Sequence, residues 1–180
     1  MAKQFASFED DHLTTIAAQH MFFVGTAAPE GRVNISPKGM DSLRVTGPNE
    51  VVWLNVTGSG NETAGHLQRD PRMTLMWCSF EKRPMILRAY GSAQTLHPRD
   101  ARWAGLYALF PPIPGARQIY VMAVDMVQTS CGYAVPFYDH VGPRDTLRRW
   151  AEQKGDEGVA AYWDEKNRET LDGYPTGILG

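Results

Sequence analysis

Val51-Val-Trp-Leu-Asn-Val56 runs directly into Thr57-Gly-Ser-Gly-Asn-Glu-Thr-Ala-Gly-His66. The first six residues are β-branched, aromatic or apolar except Asn55, which is a strand pattern. The next ten include Gly58, Gly60 and Gly65, and Asn61 to Gln68 reads as a helical turn or two. A strand therefore passes through a small-residue turn into a helix. Small residues let backbone N–H groups approach a ligand closely, and a helix N-terminus carries free donors and a positive dipole end. Ser59, Asn61 and Thr63 add side-chain groups, and His66 can add another. Together they read as a phosphate cradle. Ser59-x-x-Glu62 also matches a capping box, which needs no ligand and is the commoner occurrence. The Gly-Lys-Ser/Thr of a P-loop is absent.

Upstream, His12 to His20 reads as a short helix, and Met21 to Thr26 as a buried strand. Ala28-Pro-Glu-Gly31 is a turn, and Arg32 to Ser36 alternates polar and apolar as the return strand of a hairpin. Alternation puts Asn34 and Ser36 on one face, with Lys38 following beyond Pro37. A lysine there can meet an anion as a compact point charge, although most lysines are simply solvated. Downstream, Arg72 to Phe80 and Met85 to Thr95 form a second hairpin. His97 to Phe110 reads as a helix, ended by Pro111, Pro112 and Pro114. Arg117 to Ser130 is the longest strand pattern, and its imperfect alternation predicts a bend or bulge. The tail reads as two helices, Asp145 to Lys154 and about Val159 to Arg168, with Gly155 and Gly158 near the break. Six or so strands joined mostly by short turns predict an antiparallel barrel with peripheral helices, not a βαβ sheet. Residues 1–180 are expected to form a single domain, with a helical tail over about 143–180.

Across 180 residues, 43% are hydrophobic and 21% charged, an ordinary globular balance. The net charge of −2 argues against a nucleic-acid partner, while a local basic patch can still hold one phosphate. Cys78 and Cys131 make neither a disulfide framework nor a CxxC pair, which suits a reducing compartment. No signal-peptide core and no apolar run of bilayer length is found, so the expected location is the cytoplasm, away from membranes. The five histidines show no HExxH spacing, and no metal site is expected. There is no GxSxG elbow and no GxGxxG entering a helix. In Met76-Trp-Cys-Ser-Phe80, Trp77 and Phe80 can wall a flat ring and Ser79 can bond its edge, although strand aromatics are more often core. Cys78 reads as a buried apolar residue, with nothing nearby in sequence to activate its thiol.

RVNISPKG, GSGNETAGHL, RMTLMWCSF and LRAYGSAQ, in that order, resemble the FMN-binding split-barrel family related to pyridoxamine 5′-phosphate oxidase. The tail, with SCGYAVPFYD, RDTLRRWAEQKG and AYWDEKN, is similar to a stand-alone branch of undefined substrate. The resemblance implies an antiparallel split β-barrel and a homodimer with FMN at the subunit interface. By position it places Val33, Asn34, Ser36, Pro37 and Lys38 along the flavin. It places Ser59, Asn61, Thr63 and His66 near the phosphate, Trp77, Cys78 and Ser79 on the adjoining strand, and Arg88 close to the site. Tyr133 and Phe137 are implied contacts from the other subunit. Two departures matter. The basic Ser-Arg-Lys type cluster of the vitamin oxidases reads Asn61-Glu62-Thr63 here. Their basic, tryptophan-containing C-terminal segment has no counterpart in Asp172 to Gly180. The implied activity is an FMN-dependent oxidation or reduction of a small molecule other than pyridoxamine phosphate. The alternatives are a flavin carrier or sensor without turnover, or the same fold holding deazaflavin F420 or haem.

Overall fold

The computed structural model describes residues 2–180. Eight antiparallel strands form one sheet: β1 (Lys3–Phe5), β2 (Phe22–Thr26), β3 (Asn34–Lys38), β4 (Leu43–Gly47), β5 (Glu50–Val56), β6 (Arg72–Cys78), β7 (Ile86–Leu96) and β8 (Ala116–Ser130). Four helices accompany them: α1 (Asp10–Ala18), α2 (Glu62–Leu67), α3 (Trp103–Tyr107) and α4 (Thr146–Lys166). The strand order is β3-β2-β6-β7-β8-β5-β4, with β1 paired to β8. The sheet curls without closing, because its outer strands β3 and β4 do not pair. This is the expected split barrel.

The VVWLN run is buried at every residue because β5 is covered on both faces. Val51 and Trp53 face the barrel interior with Phe22, Val24, Leu75, Trp77, Leu87 and Tyr120. Val52 and Leu54 face outward into a second cluster with Leu96, Phe110, Ile113 and Ile119. A strand buried on both faces reads as an unbroken apolar run, not an alternation. This leaves Asn55 as a polar residue within a doubly covered strand.

The predicted break in the longest strand is a bulge. Tyr90 faces Met126 and Gly91 faces Val124, so Asp125 is the extra residue on β8. The backbones close in at this point, and a Cβ on Gly91 would lie 1.9 Å from the carbonyl oxygen of Ala123. Only glycine fits such an approach.

Other boundaries moved for local reasons. The first helix begins at Asp10, two residues before the predicted start, because Glu9 and His12 close a reciprocal capping box. The predicted 97–110 helix is turns around a single helical stretch, Trp103–Tyr107. Strands β1 and β4 went unpredicted; each is short and stabilised by its pairing, with β8 and β5 respectively. The tail holds two helices as predicted, numbered together as α4 and separated by a kink at Gly155 (φ 65°, ψ 174°).

Gly91→Ala is expected to destabilise the fold by roughly 3 kcal/mol in urea titration, since a backbone oxygen must move. Gly105→Ala, whose Cβ would meet nothing within 4 Å, is expected to be neutral or stabilising by about 0.5–1 kcal/mol.

Candidate functional site

Strand β3 is an edge strand, which is why it tolerates Pro37 and continues through it to Lys38. Alternation then puts Asn34, Ser36 and Lys38 on one side and Ile35 and Pro37 on the other, with Val33, just before the strand, bordering both. The first three line a cavity of about 630 Å³ together with Trp53 and Asn55 of β5, the Gly58–Thr63 turn, and Arg117 at the start of β8. Residues 169–171 of the tail close it. The lysine beyond β3 and the Gly-rich turn after β5, far apart in sequence, thus share one cavity.

The turn is not held by the predicted capping box. Asn61 is the N-cap of α2 and makes no side-chain capping bond. Ser59 is exposed, and the Glu62 carboxylate accepts the Leu171 N–H at 3.1 and 3.2 Å from its two oxygens. The tail holds the turn instead, through Asn167, which is fully buried. Its Nδ2 donates to the Gly58 carbonyl at 3.1 Å, and its Oδ1 accepts from Arg117 Nη1 at 2.6 Å. Its own carbonyl accepts from Asn61 Nδ2 at 3.3 Å and Thr176 Oγ1 at 2.6 Å. Arg117 Nη1 also donates to the Gly60 carbonyl at 3.1 Å, and Trp163 Nε1 donates to Thr57 Oγ1 at 2.8 Å. Farther along, Asp172 pairs with Arg32 just before β3. Thr170 packs where Gly65 has no side chain: a Cβ there would lie 2.3 Å from the Thr170 methyl.

Two cations face the cavity without an acidic partner among the described residues: Lys38 and Arg117. Burial and the nearby Arg117 charge push the Lys38 ammonium down to about 8. Its Nζ lies 5.3 Å from the centre of the Trp53 ring. Burial pushes Arg117 down to about 10, still well above neutral pH, so it stays charged. Buried polar atoms also lack partners here. Asn55 Oδ1, Asn61 Oδ1 and Arg117 Nε all sit on cavity-lining residues. Native interiors leave few such atoms, each at a cost of about 1–3 kcal/mol, so a cluster of them signals a missing partner. The complement is a ligand with anionic acceptors for the cations and hydroxyl or N–H donors for the amide oxygens.

Of the predicted residues, Val33, Asn34, Ser36, Lys38, Ser59, Asn61 and Thr63 line this cavity. The others lie elsewhere. Pro37 is on the outward side of β3. His66 is buried against the barrel, with Nδ1 3.1 Å from Thr26 Oγ1. Trp77 is core, tilted against Phe22 at 6.2 Å. Cys78 is buried at the end of β6, where desolvation raises its thiol pKa. Ser79 accepts the Glu81 N–H at 3.3 Å within the β6–β7 turn. Arg88 lines a different cleft, of about 580 Å³, on the outer sheet face with Phe23, Ile35, Met76 and Tyr90. Val33 and Ile35 there are 71% and 69% exposed. Tyr133 and Phe137 project from the loop after β8 and are exposed. Arg117, Asn55 and Asn167 went unpredicted. Asn55 had a visible signal, a lone amide in an apolar run; Arg117 and Asn167 sit at element ends, where polar residues are unremarkable.

Residues 8–131 match the sequence model of the pyridoxamine 5′-phosphate oxidase family. The chain belongs to that family. A relative from Aspergillus flavus, named pyridoxamine 5′-phosphate oxidase family protein ustO, is 33% identical over 95% of this chain and 76% of its own length. Among solved structures, a HupZ variant from Group A Streptococcus superposes with a TM-score of 0.57 at 17% identity, covering 68% of this chain and 98% of its own. A Lactobacillus delbrueckii protein named for the same oxidase superposes at 0.55 with 17% identity, covering 68% and 94%. These structures share the fold. The family match stops at residue 131, so Asn167 and the rest of the tail lie beyond it.

Asn167→Ala strands Arg117 and the Gly58 carbonyl together, while leaving the backbone carbonyl that Asn61 and Thr176 bond. It is expected to cost about 2–4 kcal/mol and to expose residues after 145 to limited proteolysis while the barrel resists.

Proposed function

We propose that the chain is a flavoprotein that binds FMN in the 630 Å³ cavity and carries out an oxidation or reduction of a small molecule. The observation that carries this is the pairing of two unpartnered cations, Lys38 and Arg117, with three orphaned polar atoms around one cavity. A flavin mononucleotide offers a phosphoryl group to the cations and ribityl hydroxyls and a ring N–H to Asn55 and Asn61. The volume lies within the usual range of cofactor pockets, about 300–1,000 Å³. Arg117 answers the departure noted in the sequence, supplying from β8 the positive charge that Glu62 replaces on the turn. Glu62 itself is engaged by the Leu171 N–H, which lessens its repulsion of an anion.

When bound, FMN supplies the redox chemistry, accepting and delivering hydride or electrons. The chain's residues do the rest. Arg117, Ser59 and Thr63 would hold the phosphoryl group, Asn55 and Asn61 would accept from ligand donors through their Oδ1 atoms, and Asn34 and Ser36 would hold hydroxyls. Asn34 Nδ2 already donates to Ser36 Oγ at 3.0 Å, which orients the pair. Lys38 keeps a cation on the ligand in a site from which burial removes competing water. The missing basic cluster at the turn sets this chain apart from a pyridoxamine phosphate oxidase in substrate.

We further propose that residues 1–180 form one domain acting in the cytoplasm as a homodimer. The free thiols of Cys78 and Cys131 suit a reducing compartment. Among the described residues, no helix is long and apolar enough to cross a membrane. The outer cleft around Phe23, Ile35, Met76 and Tyr90 presents an apolar sheet face, which a second copy would cover.

Purified protein is expected to be yellow, or to become so on adding FMN; a colourless protein that takes up no FMN refutes the reading. FMN affinity is expected to stay level from pH 7 to about 8 and to fall above it, by up to tenfold per unit. The sign follows from Lys38: an anion binds its charged form, which is lost as pH rises through the free-site value of about 8. The ligand's phosphate is already dianionic in this range, with a pKa of about 6. Lys38→Met should weaken binding roughly tenfold at pH 7 and flatten the profile. For the assembly, Ile35→Glu should yield a folded monomer by light scattering, with an unchanged circular dichroism spectrum.

A further inference from the structure

A second cleft, of about 1140 Å³, opens off the Lys38 end of the cavity, and the two share Lys38, Gly58 and Ser59. One wall is the β3–β4 turn, residues 37–41, with His20 before β2. A second wall is residues 142–148 with His140, Trp150 and Tyr162, and it meets the first where His140 lies on His20. That second wall lies wholly beyond residue 131, where the family match ends, so this chain's own tail builds it. Helix α4 joins the spaces: Tyr162 lines the larger cleft and Lys166, one turn on, lines the smaller cavity.

The lining is aromatic and basic. The rings of His20 and His140 stack with centroids 3.6 Å apart and planes at 17°. Trp150 and Tyr162 meet edge-on at 5.0 Å. Lys38, Arg144 and Arg148 supply positive charge, against Asp41 and Asp145. Both acids already have cations: Arg44 binds Asp41 through two contacts of 2.7 and 3.0 Å, and Arg149 lies 3.5 Å from Asp145. Arg144 and Arg148 have no acidic partner among the described residues. They are the groups left to meet a ligand anion, and their planar forks match a carboxylate.

We propose that this cleft is the substrate pocket and that it takes a planar aromatic carboxylate. The carboxylate meets Arg144 and Arg148, the ring lies against Trp150, Tyr162 and the histidine stack, and the opposite end of the molecule points toward Lys38. The proposal rests on the flavin reading for what happens to that molecule, but not for its binding.

The test titrates the purified protein, as isolated and after FMN saturation, with 2-naphthoate, 2-naphthamide and 2-naphthyl phosphate, followed by calorimetry and tryptophan fluorescence. The acid is expected to bind at least tenfold more tightly than the amide. The Arg144→Gln, Arg148→Gln double variant is expected to lose that preference while retaining FMN uptake and its unfolding midpoint; both arginines are exposed, so the fold does not depend on them. In FMN-loaded protein, the acid should also shift the visible flavin band. Equal binding of acid and amide, or a preference that survives the double variant, overturns the proposal. Tighter binding of the phosphate ester overturns the carboxylate assignment. If the protein takes up no FMN yet binds the acid through the arginines, the flavin reading fails and the pocket stands.

Discussion

Everything at the site depends on one buried amide. Asn167 joins Arg117, the Gly58 carbonyl, Asn61 and Thr176 through both ends of its side chain and its own carbonyl. A guanidinium buried as deeply as that of Arg117 is expensive to desolvate without partners. Here it has neutral acceptors only, Asn167 Oδ1 and the Gly60 carbonyl, and no carboxylate. Neutral acceptors fix its orientation without cancelling its charge. An acid in place of Asn167 would form a buried ion pair and leave much less field for an incoming anion.

The same amide explains why α2 carries no side-chain cap. The Gly58–Thr63 turn could have satisfied itself locally, as the Ser59–Glu62 spacing suggests. Instead Glu62 reaches outward to the tail and Asn61 reaches to Asn167, and the turn takes its shape from residues over a hundred positions away. Gly65 completes this arrangement, because Thr170 occupies the volume a side chain would need. The barrel supplies strands and a floor; the tail decides the shape of the loop between them.

The sequence was most legible where local pattern and tertiary environment agree. The strands β2, β5, β6, β7 and β8, the bulge in β8 and the break near Gly155 follow from apolar pattern or backbone preference alone. On β3, alternation aligned Asn34 with Ser36, and the edge position carried Lys38 onto the same face. Legibility failed where a long-range partner decides. The tail overrode the Ser59–Glu62 cap. Trp77, which the resemblance set beside the site, is core as strand aromatics more often are, because β6 buries that face against Phe22. Arg117 read as the polar end of a strand, and only the topology, which sets β8 beside β5, brings it next to Asn55. Short strands such as β4 carry too few residues for a period to emerge.

Strand β3 has a double duty. Asn34, Ser36 and Lys38 point into the polar cavity, Ile35 stands on the apolar outer face, and Val33, just before the strand, borders both. A displacement of this strand by a single position against β2 would exchange the two sets at once, lining the cavity with hydrocarbon and setting an ammonium on the greasy side. Substitutions along these five residues are therefore not independent of one another, and insertions of one residue between Gly31 and Asn34 would be tolerated only if the extra length bulged out before the pairing with Thr26 begins.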